Sequence, residues 1–170
     1  MCIRDSSKKL EQKGIRVIRC DATKLSEHLN EKVDFIFMSN FLEHMKSKEI
    51  VLQVLEECRK VLSRKGKLVI LQPNIRYAGS AYWDYIDHHI AITDKSLVEA
   101  LTISGYSVPK CIPRFLPYSV KSKTGDAFSG KYLKLAVKLY LKMPFLWKIF
   151  GAQTLVIAKI NHQASNKKAL

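Results

Sequence analysis

A chain of 170 residues, 47% apolar and 26% charged, can bury one hydrophobic core and is too apolar for a disordered segment. Its net charge of +14 is uneven: residues 1–109 carry 17 basic and 14 acidic side chains, residues 110–170 carry 12 basic ones against Asp126 alone. Four dispersed cysteines with no CxxC pair argue against a disulfide framework or a zinc finger, residues 1–14 hold no apolar signal core, and no stretch of about 18 residues is free of charge, as a membrane-spanning helix requires. A cytoplasmic setting is therefore expected, and the basic C-terminal third predicts an anionic partner, such as a membrane surface or a phosphorylated substrate.

Three apolar runs share one design. Ile15–Asp21 ends in an acid, Val33–Asn40 ends in Ser39-Asn40, and Lys67–Asn74 ends in Gln72-Pro73-Asn74. All three are expected as strands, the second and third buried on both faces of a parallel sheet. Between them, Ile50, Val51, Val54, Leu55, Cys58, Val61 and Leu62 recur at helical spacing and predict a helix over Ser47–Leu62, with Gly66 as the turn into the next strand. A second helix is expected over Asp94–Ser104, capped by Thr93 or Asp94 and closed by Gly105. Strands follow at Tyr106–Pro113 and Thr154–Ile160, separated by a helical segment, Lys131–Phe150, broken at Pro144. The alternation predicts a doubly wound α/β sheet, mostly parallel, with helices on both faces.

Ligands of such sheets sit beyond the carboxyl ends of the strands. Here those ends carry Asp21-Ala22, Ser39-Asn40 and Gln72-Pro73-Asn74, which fit either a nucleoside site or ordinary caps and turns. The seven glycines never stand two apart, so a GxGxxG dinucleotide loop is excluded, and neither a P-loop nor a GxSxG elbow occurs.

The run Val33-Asp-Phe-Ile-Phe-Met-Ser-Asn-Phe-Leu-Glu-His-Met45 resembles the fourth-strand motif of class I S-adenosylmethionine-dependent methyltransferases of the small-molecule type. Arg59–Ile70 continues the likeness into the fifth strand, and Gly14–Leu25 is similar to the third strand with its Asp-Ala signature. The resemblance implies a Rossmann-like fold, S-adenosylmethionine as cofactor, and methyl transfer to a small molecule or a lipid-linked or glycan substrate. It places Asp21 at the adenine amino group, Ala22 beside the ring, and Ser39 and Asn40 along the methionine part. The family's opening acidic-x-Gly-x-Gly loop is not in this sequence, so the chain is expected to be incomplete at its N-terminus, with impaired cofactor binding. Residues 1–7 then read as a foreign lead-in, residues 8–160 as a partial methyltransferase domain and residues 161–170 as a polar tail.

Candidate proton acceptors are His44, after the fourth-strand motif, and His88 or His89 in the loop after the fifth. Adjacent side chains diverge, so His88 and His89 do not form a chelating pair, and no metal site is expected. Asn74, Tyr77, Trp83 and Tyr85 lie in one long loop, where they either close over substrate as a lid or pack a small satellite core. In the basic segment 131–150, Lys131, Lys134, Lys138 and Lys142 form a stripe opposite Leu133, Val137 and Leu141. That pattern fits a helix packed on the sheet with its lysines in water, or one lying peripherally on an anionic membrane. Nucleic acid is not an expected partner. The alternative to an enzyme is a non-catalytic module of the same fold that docks through this basic third.

Overall fold

A computed structural model describes residues 10–118 and 130–162, with side chains from residue 135 onward in the second stretch. Its framework begins with β1 (Val33–Ser39), α1 (Lys48–Val61) and β2 (Leu62–Pro73). There follow α2 (Asp94–Ile103), β3 (Tyr106–Leu116), α3 (Gly130–Lys142), α4 (Pro144–Phe150) and β4 (Gln153–Ile160).

Local chemistry sets the helix limits. The Ser47 hydroxyl accepts from the Ile50 amide at the head of α1, where Glu49 also complements the helix dipole, and Arg59 and Lys60 do so at its end. Thr93, not Asp94, caps α2, in a reciprocal capping box with Ser96. The apolar stripes then decide packing. Val51, Val54, Leu55 and Cys58 of α1 join Leu97 and Leu101 of α2 over Leu68, Ile70, Val156 and Ala158 of the sheet. Tyr106 is also buried there, its hydroxyl donating to the Leu55 carbonyl across 2.8 Å.

The sheet order is β1-β2-β4-β3. β1 and β2 are parallel, and β4 runs antiparallel to both neighbours, so three of the four strands point the same way. With helices on both sides this is the expected doubly wound architecture. One end of the sheet consequently gathers Ser39 opposite Leu71, and Pro73 and Leu116 both opposite Gln153.

Several expectations need correction. Ile15–Asp21 is extended but forms no strand, because no described strand lies beside it to complete a ladder; Ile15 and Ile18 stay exposed. The helical end before it survives as one turn through residues 10–14. Gly66 is not a turn between elements but lies inside β2, where the register jumps from Val33↔Leu62 to Phe35↔Lys67. A β-carbon there would stand 2.7 Å from Leu62 Cγ, so the bulge needs glycine. The helical segment does break at Pro144. Its apolar stripe is not buried on the sheet, however: Val137 and Leu141 are 45% and 42% exposed. The two helices are instead fastened by Tyr140, whose hydroxyl donates to the Phe115 carbonyl, and by Trp147, which packs edge-on against Phe115. Gly151 follows, so close to Arg114 that a β-carbon would lie 2.6 Å from its carbonyl carbon. The lead-in, residues 1–7, lies outside the described residues. Of the polar tail, Asn161 and His162 are tied down, their N–H groups donating to the carbonyls of Gly105 and Arg64; residues 163–170 lie outside the described residues.

Candidate functional site

The cofactor-side candidates occupy fixed but separate places. Asp21 caps a 3-10 turn, Ala22–Lys24, and its Oδ1 accepts from the Thr23 amide (2.9 Å) and hydroxyl (2.8 Å). Those bonds hold its exposed carboxyl below the ordinary range, the backbone bond most strongly. The turn is anchored on α1: Glu57 Oε2 accepts from the Ser26 amide and hydroxyl, Lys60 pairs with Oε1 at 2.7 Å, and Ala22 packs against the core. Ser39 and Asn40 stand exposed at the end of β1. Asn40 takes φ +48° while its amide donates to the Leu71 carbonyl, a conformation asparagine tolerates better than most residues. No hydrogen bond joins Asp21 to Ser39 or Asn40 among the described residues.

The turn at Asn40 drives the next segment inward. Leu42 and Glu43 sit in a second 3-10 turn, Leu42–His44, and both are fully buried. Glu43 Oε2 accepts from Gln72 Nε2 at 2.7 Å, and its main-chain carbonyl accepts from the amides of His89 and Ile90. Its other carboxylate oxygen, Oε1, is buried with no hydrogen-bond partner. Two imidazoles face that oxygen, His44 Nε2 at 3.8 Å and His88 Nε2 at 3.9 Å. Both rings are held from behind. His88 Nδ1 is 2.6 Å from the Tyr82 carbonyl, and His44 Nδ1 is 3.0 Å from the Asp87 carbonyl. A carbonyl only accepts, so Nδ1 carries the hydrogen in each ring and Nε2 of the neutral ring is left with its lone pair.

Aromatic groups wall this centre. Tyr85 stacks on His88 at 5.2 Å, and the Tyr82 hydroxyl donates to the Ile90 carbonyl at 2.6 Å. Burial first, then the nearby Tyr85 and Glu43, push the Tyr118 phenol up to about 12. The Tyr118 hydroxyl and Gln72 Oε1 are also buried without partners, so the strand ends concentrate unused polar capacity.

The long loop divides into two roles. Asn74 is 1% exposed and ties elements together, its amide donating to Asp94 Oδ1 and Thr154 Oγ1. Its oxygen accepts from the Arg76 amide, so it is a cap and not part of a lid. Tyr77 and Trp83 are exposed, Tyr77 under the Arg114 guanidinium at 4.9 Å. Tyr85 lies on the buried centre. His89 is exposed and contributes its main-chain amide, so of the three histidines the fold unites His44 and His88 alone. Sequence reasoning missed Glu43 and Tyr118 as site residues; it had Gln72 as one of the polar groups at the strand ends and Tyr82 as one of the aromatics of the long loop. The visible trace of the first was an acid beside a histidine directly after an apolar strand. A groove of about 280 Å³ between α1 and α2, lined mainly by apolar residues such as Val51, Leu52, Ile90, Leu97 and Ile103, includes none of Glu43, His44 and His88 in its lining.

Comparison with known proteins bears on the fold. Residues 2–70 match a family described as a methyltransferase domain. A solved S-adenosylmethionine-dependent methyltransferase from Clostridium acetobutylicum superposes with a TM-score of 0.61 at 10% identity, covering 94% of this chain and 71% of that one. One from Archaeoglobus fulgidus gives 0.57 at 19% identity, covering 91% and 72%. The O-methyltransferase of neocarzinostatin biosynthesis, solved with S-adenosylmethionine and a naphthoic acid, gives 0.58 at 10% identity, covering 92% of this chain and 38% of that one. No curated protein matches in sequence.

Proposed function

We propose that the chain is part of a class I S-adenosylmethionine-dependent methyltransferase and that it methylates an oxygen of a small-molecule, lipid-linked or glycan acceptor held at the buried Glu43 centre, a reading supported by the methyltransferase-domain match over residues 2–70 and by the fold. The observation that carries this reading is the convergence of three acceptor atoms, Glu43 Oε1 and the Nε2 atoms of His44 and His88, at the strand ends. Methyl transfer to a hydroxyl needs somewhere for the proton to go, and this group can take it.

The residues present fit one side of the cofactor. Asp21 keeps Oδ2 free to accept from an adenine amino group, Ala22 lies beside it, and Ser39 and Asn40 offer open polar groups at the end of β1. Amides of an acidic-x-Gly-x-Gly loop are not among these 170 residues, so binding through the described residues alone is expected to be weak. The edge of β1, which has no partner strand among the described residues, and the more than half exposed Phe35 and Phe37 support a further strand docking there. When bound, S-adenosylmethionine supplies an electrophilic methyl group, and positioning supplies much of the rate. The chain's part is to orient and deprotonate the acceptor. His44, a third exposed, is the acceptor side chain of the centre most open to solvent, and Tyr85 stacks on the neighbouring His88.

The test is transfer of tritiated methyl to phenols, catechols, hydroxy acids and lipid-linked sugars at saturating cofactor. Acceptor-dependent transfer that falls at least about tenfold in His44→Asn supports the reading. Absence of acceptor-dependent product across the panel overturns it.

A second reading has its own observation. Leu135, Leu139, Leu141, Phe145, Ile149 and Phe150 are all more than 40% exposed among the lysines of α3 and α4. Such a surface supports peripheral attachment to anionic lipid. Flotation with phosphatidylglycerol vesicles but not with neutral ones would support it, and no flotation with either would remove it.

A further inference from the structure

The Glu43 centre has an electrostatic imbalance that its protein partners do not resolve. His88 spends its Nδ1–H on the Tyr82 carbonyl, and His44 Nδ1 faces both the carbonyl of Asp87 and its carboxylate Oδ2 at 3.3 Å, so with both rings neutral the three atoms pointing at one another are a carboxylate oxygen and two nitrogen lone pairs. They all lie within 4.8 Å, and Glu43 and His88 are buried. Three acceptors do not share a buried space without a cation or proton among them. Glu43 Oε1 is fully buried, unbonded and aimed into that space.

We propose that Glu43, His44 and His88 bind a divalent transition-metal ion of the zinc or cobalt type, through Oε1 and the two Nε2 atoms. Two imidazoles and one carboxylate suit such an ion better than magnesium or calcium, which prefer oxygen. The arrangement behind the ligands is that of a metal site. Each histidine is fixed in tautomer and direction by its carbonyl partner, and the carboxylate is oriented by Gln72 through Oε2. The 3.8 and 3.9 Å separations exceed the edge of about 3.4 Å expected for tetrahedral ligands at Zn–N distances near 2.1 Å, so along those two edges the ion draws the side chains inward by about half an ångström, the third edge starting within 4.8 Å. Three protein ligands leave a position open, and His44 marks the side from which solvent or an acceptor oxygen reaches it. With the ion bound, these three atoms are ligands and no longer proton acceptors, and the ion would instead acidify an acceptor hydroxyl at the open position; the proposal does not depend on the methyl-acceptor reading, because the metal alone is the probe.

Titration of the metal-free full chain with Co²⁺, followed by its d–d absorption and by Zn²⁺ displacement, tests the proposal without cofactor or acceptor. The expected result is one tightly held ion in a four- or five-coordinate spectrum, weakened at least about tenfold by His44→Asn and by His88→Asn. His44 is part-exposed, so its variant should keep the wild-type circular dichroism and isolate ligation from folding. Glu43→Gln adds a second discriminator. It replaces one acceptor by a donor, so the metal-free variant should be at least as stable as the wild type while its Co²⁺ affinity falls. No stoichiometric binding, unchanged affinity in His44→Asn, or a thiolate-to-cobalt charge-transfer band showing capture by cysteine would overturn the proposal. So would marked destabilisation of metal-free Glu43→Gln, which would mean an imidazolium ion pair in place of a cation.

Discussion

Asn74 is where a lid and a structural cap make opposite predictions. Asn74→Ala removes the hydrogen bonds to Asp94 Oδ1 and Thr154 Oγ1, both 2.9 Å, and the one from the Arg76 amide at 3.1 Å. Asp94 keeps its 3.6 Å approach from Arg76, and Thr154 keeps its bond to the Pro113 carbonyl, so neither partner is left bare. Counting about 1 kcal/mol for each neutral bond and about 1.5 for the one to a carboxylate gives a loss of about 3.5 kcal/mol. For a domain of this size that lowers Tm by about 10 °C. Thr154→Ala, which removes one of the three and the bond to Pro113, should cost about half as much. Thermal unfolding followed by far-ultraviolet circular dichroism, with urea midpoints at constant slope, measures both. If Asn74→Ala unfolded within a degree or two of the wild type while methyl transfer fell, the side chain would face ligand and the structural assignment would be wrong.

Glu57 gives a pH signature. Its carboxyl is held down to about 2 from an ordinary 4.5, first by Lys60 and then by the Ser26 hydroxyl and amide. A depressed folded-state value contributes stability above the unfolded value and loses it as pH falls toward the folded one. The stability gap between wild type and Glu57→Ala should therefore be about 2 kcal/mol at neutral pH and close between pH 4.5 and 2, as urea midpoints across that range would register; a constant gap would refute the pairing. Phe35 and Phe37 lie more than half exposed on β1, whose outer edge has no partner among the described residues. Substituting both by lysine should suppress concentration-dependent association in light scattering without lowering Tm by more than a degree or two, whereas an unchanged scattering profile would show that this edge is not what associates.

What could be read from the sequence follows the range of the interactions involved. Capping and periodicity are local, so α1 was legible from Ser47 and the Val51–Val61 stripe, and α2 from Thr93 and Leu97–Leu101. The apolar runs of β1 and β2 announced strands for the same reason, but β1 is not buried on both faces as expected: Phe35 and Phe37 are more than half exposed. Ile15–Asp21 carries as good a local pattern but forms no ladder, because pairing depends on a neighbour that the run itself does not encode. The Glu43 centre was half visible. His44 and His88 stood out as titratable groups, but Glu43 became a partner of His88 only when a loop 45 residues away folded back over it. Asn74 misled for the converse reason: its partners are 20 and 80 residues distant, and nothing nearby shows that its polar atoms are already used. In α3, a lysine stripe opposite leucines looks alike whether the leucines pack on a sheet or stay in solvent.

We propose that the cofactor lies over Asp21-Ala22 and over Ser39-Asn40 at the end of β1. Ultraviolet crosslinking of tritiated S-adenosylmethionine to the full chain, with peptide mapping and competition by S-adenosylhomocysteine, tests that placement even when binding is weak. The expected result is competed label in the peptides spanning residues 20–24 and 33–46, reduced in Asp21→Ala; label that is not competed, or that falls on α3 and α4 instead, would contradict it.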